Sequence, residues 1–491
     1  MRKAAFLLLG TLLAGCQFAP DHERPALPTP AQYPDYQPEP VEGVVPADLA
    51  WRTFFDDPRL RELIEAALAN NRDLRIATAR IEEARGQYRI EDAERYPTLG
   101  LGAEATRGRY ATGASGASSG AGSGAGAGAG SAAGVGAGSA IAERYFVGLT
   151  VSAFELDFWG RVRNLSEAAL AQYLATEQAR RAFHLSLIGD VAATYLAIRE
   201  ADRRIELALE TLRTRRETLE LAGLRLKAGV TSALEFHQAA ALLTQAETEL
   251  ANLRLIRAEQ LNYLTVLVGG ELPETLPPPV PLGEQLSPTR LDAGLPSDLL
   301  YLRPDIIGAE QRLRAARANI GVARAAFFPQ ISLTGSFGYA STELSGLIRS
   351  ANETWSIGPS ITLPLFDWGR NEGNLTVAEA RETVAIAEYE QAIQTAFREV
   401  ADALAGRRYL AEQLLAQRKN VATLQHIADL ANARYAEGVV NYLEVLDAER
   451  NLFDARQTLI QTLRAQVQNL VELYIALGGG LPVDRNDYGD R

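Results

Sequence analysis

The only cysteine of the 491-residue chain, Cys16, has the sequence context that points most directly to chemistry. It ends the segment MRKAAFLLLGTLLAGC, which has a basic start, an apolar stretch of signal-peptide length and a small-residue cleavage site. The Leu-Ala-Gly-Cys ending resembles a bacterial lipobox, in which the cysteine becomes the first mature residue and carries a diacylglycerol and an N-acyl group. This predicts a signal peptide over residues 1–15 and a covalent lipid on Cys16. The alternative is an ordinary signal peptide in which Cys16 is incidental.

The other reactive residue types do not form a catalytic pattern. The four histidines are scattered without metal-ligand spacing, and the chain has neither a Gly-rich phosphate loop nor a Ser/His/Asp arrangement. We therefore expect no enzymatic activity and no cofactor beyond the lipid. The formal net charge of −12 argues against nucleic acid as a partner. Gln17, rather than aspartate, follows the cysteine, and the lipoprotein sorting rule then predicts attachment to outer membrane lipid.

A short device of glycine, leucine and glutamate occurs twice, 209 positions apart. Gly229 and Gly438 suit the left-handed backbone that follows a helix end. Ser232 with Glu235, and Asn441 with Glu444, have the spacing of a helix cap and its capping-box glutamate. Each copy is therefore predicted to be a tight turn between two antiparallel helices, at the tip of a hairpin.

Long helices are predicted from the distribution of proline. Of 22 prolines, eight fall in residues 20–46 and eight in 273–304, whereas none occurs in 98–272 or 365–481. Proline in a helix interior costs about 3 kcal/mol, so proline-free tracts permit long helices. Apolar residues there recur at alternating steps of four and three, which is coiled-coil spacing. One helix from about residue 161 to 227 would be roughly 100 Å long.

The repeat offset extends well beyond the tips. Trp159-Gly160-Arg161 matches Trp368-Gly369-Arg370 at the offset of 209. Upstream the offset becomes 232, because the first copy has extra residues between Pro97 and Trp159. The chain is therefore a tandem repeat. The extra residues include the tract 113–140, which is Gly, Ala or Ser apart from Val135. We predict a disordered loop there, with a silk-like ordered sheet as the alternative.

Beside this loop, and at the matching place in the second copy, apolar residues alternate with small or polar ones. Ile331, Leu333, Phe337 and Tyr339 alternate with Ser332, Thr334, Ser336 and Gly338. Segments of this kind about ten residues long are typical of membrane-spanning β-strands with a wet interior face. The alternative is an antiparallel sheet packed on a soluble core. Four strands cannot close a barrel, so we expect several chains to complete it, and three chains would leave a lumen.

These patterns divide the chain into six parts. They are a signal peptide (1–15), a lipid-anchored proline-rich segment (16–60), a first repeat (61–272), a proline-rich linker (273–304), a second repeat (305–482) and a C-terminal tail (483–491). Each repeat is predicted to contain a helix, two strands and a helical hairpin. The strands are expected at about 97–107, 144–156, 329–340 and 354–364, with a loop over 108–143. The hairpins are expected at 161–268, with its tip at 228–232, and at 370–477, with its tip at 436–441.

The order strand, strand, long helix, hairpin tip, helix, repeated twice, resembles the TolC family of outer membrane efflux proteins. The lipobox, the FWGR and DWGR junctions and the tip RYAEGVVNYLEVLDAERNLFDA look like its lipid-anchored branch, which serves RND-type pumps. The resemblance implies an α+β membrane protein and a homotrimer. Its twelve-stranded barrel would continue into a coiled-coil tunnel, with the linker near the equatorial region. The implied partners are a periplasmic adaptor of the membrane fusion class and an inner membrane RND transporter.

The resemblance also implies a gate at the second tip, formed by Tyr435, Leu443, Glu444, Asp447 and Arg450. Glu444 and Asp447 are three residues apart and can share one helix face, so symmetry would place carboxylates around a narrow pore. The alternative is that Asp447 and Arg450 merely form a surface ion pair. The adaptor would dock at the hairpin tips, whose residues are Gly229, Val230, Ser232, Leu234, Glu235, Gly438 and Asn441.

These features predict a passive exit duct for drugs or other small molecules. A duct for peptide or protein secretion shares this architecture and is the main alternative. A structural coiled-coil lipoprotein would explain the heptads and the anchor, but it would not explain amphipathic strands at the same point of both repeats.

Overall fold

The computed structural model describes residues 17–34, 49–111, 139–286, 291 and 296–479. Cys16, the signal peptide, the tail 483–491 and the Gly/Ala/Ser tract up to residue 138 lie outside these residues. The elements follow in the order α1 (Trp51–Phe54), α2 (Pro58–Asn70), α3 (Arg72–Ala93), β1 (Leu99–Ala111), β2 (Ser139–Glu155), α4 (Arg161–Lys227), α5 (Ala233–Val268), α6 (Leu299–Leu302), α7 (Pro304–Ala325), β3 (Gln330–Ser341), β4 (Glu353–Thr362), α8 (Arg370–Ala436) and α9 (Tyr442–Ala476). In the described part of the chain, no helix has the length and apolar character needed to span a membrane.

The four strands form one antiparallel sheet in the order β1-β2-β3-β4. Leu101 pairs with Leu149, Leu149 with Phe337, and Phe337 with Trp355, so one face carries apolar side chains across all four strands. All four of these side chains are about half exposed or more. On the other face Ser336 bonds to Ser356 across β3 and β4, with 2.7 Å between their hydroxyl oxygens. Outward apolar and inward small polar residues are the pattern of a sheet that faces lipid.

The first hairpin is longer than the sequence pattern indicates. The predicted strands were 97–107 and 144–156, but pairing continues from Gly108 opposite Ala142 to Ala111 opposite Ser139. The predicted loop over 108–143 is therefore too long at both ends. The physical reason is that strand pairing requires backbone N–H and C=O groups opposite one another and does not require apolar side chains. Arg107 and Glu143 form an ion pair, Nε to Oε1 3.1 Å, where the apolar alternation ends.

A β-bulge interrupts the second strand. The register with β3 shifts between Val151 and Phe154, and Ala153 has a φ of 49°. The alternation predicted for the strand at about 144–156 is therefore broken there. A bulge adds an unpaired residue and increases the local twist. Alanine is not a residue type that favours turns, so its identity does not predict the bulge.

The tandem repeat appears in the backbone as well as in the sequence. The helices α4 and α8 each contain 67 residues and begin 209 positions apart. Three pairs of glycines at the same offset have positive φ: 74° and 84° at Gly160 and Gly369, 71° at both Gly229 and Gly438, and 80° and 78° at Gly269 and Gly478. The tip glycines thus have the left-handed backbone that the sequence predicts.

In both repeats the last helix ends against the backbone carbonyl of a matching upstream residue. A Cβ on Gly269 would lie 2.4 Å from the Asn70 carbonyl oxygen, and one on Gly478 would lie 2.7 Å from that of Leu302, which is 232 positions after Asn70. These two glycines therefore permit a close approach of backbones as well as the left-handed turn. Two different side chains then hold matching carbonyls.

The side chains that do so are Asn71 and its counterpart Arg303. Asn71 Nδ2 donates to the Leu267 carbonyl at 2.9 Å, and Arg303 Nη1 donates to the Ala476 carbonyl at 3.0 Å. The last carbonyls of a helix have no partner within the helix, so each repeat closes an exposed end in this way.

Residue contacts divide the chain into two compact units. The sheet belongs to the first, which comprises residues 82–175 and 310–388 and the N-terminal segment up to Pro25. The second comprises the remaining residues and has an apolar core drawn from α1, α2, α4, α5, α8 and α9. In that core Phe54 stacks on Tyr474 with 4.1 Å between ring centroids. The buried Asp57 caps α2 and accepts a hydrogen bond of 2.7 Å from the Tyr195 hydroxyl.

In the first unit, the buried carboxylate of Glu310 is a main contact of the N-terminal segment. His22 Nε2 and Arg24 Nε each lie 3.0 Å from Glu310 Oε1, and Arg314 Nη2 lies 3.1 Å from it. Arg317 donates to His22 Nδ1, which places the ring proton on Nε2, facing Glu310. Burial raises the pKa of Glu310, but the hydrogen bonds from His22 and Arg24 outweigh it and hold the pKa at about 2.

Acid is expected to release this segment. Because the folded pKa of about 2 lies below the usual 4.5, ionised Glu310 stabilises the docked segment above pH 4.5, and this contribution is lost as the pH falls toward 2. Its full size is about 3 kcal/mol. Glu310→Gln should produce at neutral pH the release that acid produces in the wild type, measured as hydrogen exchange of residues 17–25.

The matched control is Glu65→Gln, which removes one member of an exposed ion pair with Arg52. It should leave exchange in residues 17–25 unchanged. Equal protection of the segment in the wild type and in Glu310→Gln, from pH 2 to 7, would show that Glu310 does not hold it.

Candidate functional site

The first hairpin tip, between α4 and α5, is built by one glycine and one cap. Gly229 turns the chain, and Ser232 Oγ accepts a hydrogen bond of 3.3 Å from the Glu235 amide. The Glu235 carboxylate bonds to the Thr231 hydroxyl. Val230 and Leu234 are each 66% exposed, so the tip presents two apolar side chains at its end.

The second tip, between α8 and α9, has the same turn without the same cap. Gly438 turns the chain, but the Asn441 side chain makes no capping hydrogen bond, and the Glu444 amide lies 3.3 Å from the Asn441 carbonyl instead. The capping box predicted for this tip is therefore wrong. Glu444 is drawn away by Arg434, whose Nη1 lies 2.6 Å from Glu444 Oε1. An ion pair thus takes the glutamate that a capping box would use.

The predicted gate residues lie close together around this turn. Tyr435 and Tyr442 contact each other with ring centroids 5.2 Å apart, and Tyr442 is buried in an apolar cluster with Val445 and Leu446. Leu443 points outward and is 49% exposed. Asp447 Oδ1 and Arg450 Nη2 form an ion pair of 3.1 Å.

Both gate carboxylates have an arginine partner in the same chain. Glu444 pairs with Arg434 and Asp447 with Arg450, and all four side chains are about half exposed. The formal charges of these two pairs cancel, and Glu437 and Glu449 in the same segment carry further negative charge. Exposed pairs of this kind contribute only about 0.2–1 kcal/mol each in water.

One functional contact was missed by the sequence reasoning. Arg225, in the last turn of α4, donates from Nη1 to the Tyr435 hydroxyl at 2.6 Å, and its guanidinium lies 5.0 Å from the centre of that ring. Burial raises the pKa of Tyr435, and the charge of Arg225 opposes this rise. The first tip is thereby joined to the second. The available signal was the repeat itself, because Arg225 and Arg434 occupy matching positions 209 residues apart.

The two strand-to-helix junctions are not equivalent in the chain. Trp159 Nε1 donates to the Pro329 carbonyl at 2.8 Å, and its ring stacks on Phe328 with centroids 4.8 Å apart. Arg161 Nη2 pairs with Glu155 Oε2 at 2.5 Å. In contrast, Trp368 is fully exposed, and Arg370 is exposed as well.

No site for a bound cofactor emerges from the described residues. Among them, no group of three or more His, Cys, Asp or Glu side chains is placed to hold a metal ion. The arrangement found instead is a sheet with an apolar face, long helices and two joined hairpin tips. Such an arrangement can bind other molecules and let molecules pass, and its ion pairs can form or break.

Comparison with known proteins gives a consistent result. The chain matches the family model described as outer membrane efflux protein over residues 63–270 and 295–479. The solvent efflux pump outer membrane protein SrpC of Pseudomonas putida is 43% identical over 479 residues, and the match covers 97% of each protein. The cation efflux system protein CusC of Escherichia coli K12 is 42% identical over 476 residues, covering 95% of this chain and 97% of CusC. The open-state crystal structure of the Neisseria gonorrhoeae MtrE outer membrane channel has a TM-score of 0.83 and 38% identity, and covers 96% of this chain and 99% of MtrE.

The tip geometry predicts a local cost for Gly438→Ala. The site has open space around it, so the cost comes from the positive φ alone, which is about 1–2 kcal/mol for a residue with a Cβ. Hydrogen exchange of residues 434–446 should become about tenfold faster, since 1.4 kcal/mol is a factor of ten.

The matched control is Gly373→Ala, in the helical backbone of α8, where a Cβ also meets nothing within 4 Å. It should leave exchange at the tip unchanged, because alanine favours the helix that glycine weakens. Unchanged tip exchange in Gly438→Ala would contradict the strained-turn argument.

Proposed function

The chain belongs to the outer membrane efflux protein family, and on that premise we propose that it is the exit duct of a tripartite pump driven by an RND-type transporter. It is an outer membrane efflux channel and not an enzyme. The observation that carries the proposal is the sheet with an outward apolar face, followed in each repeat by a 67-residue helix. The strands have the pattern of membrane-spanning strands, and the helices are long enough to extend into the periplasm. Energy for transport comes from the pump.

The duct is a homotrimer. One chain contributes four strands, and in lipid the open edges of β1 and β4 would leave backbone groups unpaired. Two chains would give eight strands, whose side chains fill the interior, whereas three give twelve and leave a lumen. A polar inner face, as at Ser336 and Ser356, is consistent with water in that lumen.

A lipid on Cys16 anchors the chain. The two residues that follow it are docked at the strand-to-helix junction: Gln17 Nε2 donates to Asn164 Oδ1 at 2.9 Å, and Phe18 stacks on Phe328 with centroids 4.7 Å apart. This junction directly follows the sheet. Docking of Gln17 and Phe18 beside the end of the sheet is compatible with a lipid anchor on the preceding residue.

The hairpin tips are the docking point for a periplasmic adaptor. Val230, Leu234, Val439 and Leu443 are half to two-thirds exposed at the very ends of the hairpins, beside a buried apolar cluster that includes Tyr442, Val445 and Leu446. An adaptor of the membrane fusion class would cover these side chains with its own apolar helices. Docking would also rearrange the tip contacts, and opening is then a two-state change biased by the partner.

The relatives favour small molecules as cargo. SrpC and CusC are named for solvent efflux and cation efflux, and the chain is about equally similar to both. We propose small-molecule export as the function, with solvents, drugs or cations as the cargo classes. A peptide or protein secretion duct remains the alternative, and the transporter that co-purifies with the chain distinguishes the two.

The proposal is tested by planar-bilayer conductance of the detergent-extracted protein, with its size fixed by cross-linking. A three-subunit species with small currents supports a gated duct. A species of any size that carries no current contradicts it, and a conducting dimer rules out the twelve-stranded barrel.

The gate is tested by Asp447→Ala combined with Arg450→Ala. Both residues lie in α9, so their pair does not join two helices of one chain. Loss of the two side chains should raise single-channel conductance, because the proposed closed state uses them in contacts between copies around the pore. The control is Arg203→Ala with Glu206→Ala, which removes an exposed pair of the same spacing from α4, with 2.7 Å between Arg203 Nη1 and Glu206 Oε2. Equal conductance in the wild type and the tip variant would favour the surface-pair interpretation.

A further inference from the structure

The exposed indole of Trp368 is not explained by contacts within the described chain. It is fully exposed, and its φ of 58° lies in the left-handed region. A bulky side chain rarely adopts that backbone, which costs about 1–2 kcal/mol, and it persists where surrounding contacts impose it. Within one chain the indole of Trp368 gains no burial in return. The backbone turn itself is held within the chain, because the Asp367 carboxylate accepts hydrogen bonds from the Gly369 and Asn371 amides. The fully exposed indole is therefore the feature that points to a partner outside the chain.

The repeat shows what such a partner would look like. Trp159, the counterpart of Trp368, follows β2, and it contacts the two residues just before β3. Its indole N–H donates to Pro329 at 2.8 Å, and its ring stacks on Phe328 at 4.8 Å. This contact fastens the end of one strand to the start of the strand that pairs with it.

The same contact is available to Trp368 if β1 pairs with β4. Tyr96 and Pro97 precede β1 as Phe328 and Pro329 precede β3, at the offset of 232. Tyr96 is 66% exposed, so its ring is open to a partner. Within one chain β1 and β4 are separated by two strands, about 14 Å in total at 4.8 Å per strand. A Tyr96 within reach of Trp368 would therefore belong to another copy.

We propose that Trp368 stacks on Tyr96 of the partner subunit and donates its indole N–H to the carbonyl of Pro97 of the partner subunit. The contact fastens β4 of one copy to β1 of the next at the base of the sheet. This inference rests on the homotrimer proposed above and adds to it the side chains that hold the strands in register.

The internal pairing also fixes that register. Leu99 and Ile331 are counterparts at the offset of 232. Val151 lies opposite Leu99, and Ile361 lies opposite Ile331, so Val151 and Ile361 are equivalent positions of β2 and β4. Val151 also lies opposite Gly335, whose first-repeat counterpart is Ala103. Ile361 is therefore placed opposite Ala103 of the partner subunit.

A second pair beyond the bulge gives the same answer. Phe154 lies opposite Leu333, and their counterparts are Leu363 and Leu101. These counterparts place Leu363 opposite Leu101 of the partner subunit. That is the same register as Ile361 opposite Ala103 of the partner subunit, because β4 has no extra residue at the position of the β2 bulge. Two independent contacts thus agree on one alignment.

Lipid is the competing occupant for the exposed indole, since aromatic side chains also settle at membrane surfaces. Phe366 is the natural comparison, because it is 91% exposed and only two residues away. Its counterpart in the first repeat is Asp157, which bonds to the Arg163 amide and not to β3. The repeat therefore assigns Trp368, and not Phe366, to the neighbouring copy.

The register is tested by disulfide formation between Ile361→Cys and Ala103→Cys in the full-length protein. Directly opposed residues of antiparallel strands have Cα atoms about 4.5–5.5 Å apart, within disulfide range. Mild oxidation should give covalent species of two and three chains on a denaturing gel. The control pair, Ile361→Cys with Glu104→Cys, places the two thiols on opposite faces and should give none.

Failure of this inference and failure of the proposed function give different results. A trimer by native mass spectrometry without cross-linking of the Ile361/Ala103 pair overturns the register and leaves the duct intact. A chain that remains monomeric when extracted in mild detergent overturns both.

The aromatic contact is tested by the temperature at which the trimer dissociates in SDS. Trp368→Ala should lower it, Trp368→Phe should lower it less because stacking survives without the N–H, and Phe366→Ala should leave it unchanged. Equal effects of Trp368→Ala and Phe366→Ala would assign the indole to lipid and overturn the proposal. No effect of Trp368→Ala would also overturn it.

Discussion

The outer strands of the sheet, β1 and β4, each present a row of backbone N–H and C=O groups that no other described strand of the chain covers. In water such an edge invites aggregation, and in lipid each unpaired group costs several kcal/mol. The apolar face of the sheet, with Leu101 and Trp355 strongly exposed, indicates the lipid environment. A sheet that satisfies both conditions has to be continued by other copies. The proposed assembly thus rests on backbone hydrogen bonding before any side-chain contact is considered.

The repeat explains how one chain supplies matching ends for that continuation. β2 meets β3 inside the chain through the same kinds of residues that β4 and β1 present at its edges. The helix ends match in geometry more closely than in chemistry. Asn71 and Arg303 hold matching carbonyls with an amide in one repeat and a guanidinium in the other. The backbone sets the requirement, and several side chains can meet it.

Much of this architecture could be predicted from the sequence because strong local rules determine it. The absence of proline between residues 98 and 272 allowed long helices, and glycine at 229 and 438 marked the turns. The features that were missed depend on competition between partners. Asn441 has the right type for a cap, but the nearby Arg434 takes Glu444 out of the capping box.

The strand ends and the bulge escaped prediction for a related reason. Pairing beyond Arg107 is set by backbone hydrogen bonds between two strands that lie far apart in sequence, and periodicity along one strand carries no record of it. The bulge at Ala153 is likewise not predictable from its residue type, since its left-handed backbone is imposed by the register with β3. Arg225 belongs to the same group, because its partner Tyr435 lies in the other repeat.

The contact between Arg225 and Tyr435 shows why the two repeats need helices of equal length. With 67 residues in both α4 and α8, the ends of these helices come together, and one arginine from the first tip can restrain the second. A hydrogen bond to a charged group contributes about 1.5–3 kcal/mol, and a cation–π contact about 0.5–1 kcal/mol at an exposed site. In the gate proposed above, a few kcal/mol per chain, repeated in every copy, would be enough to favour the closed state strongly, and a docked partner would have to supply as much to open it. A tip held by much stronger contacts would stay closed, and one held by surface ion pairs alone would not close reliably.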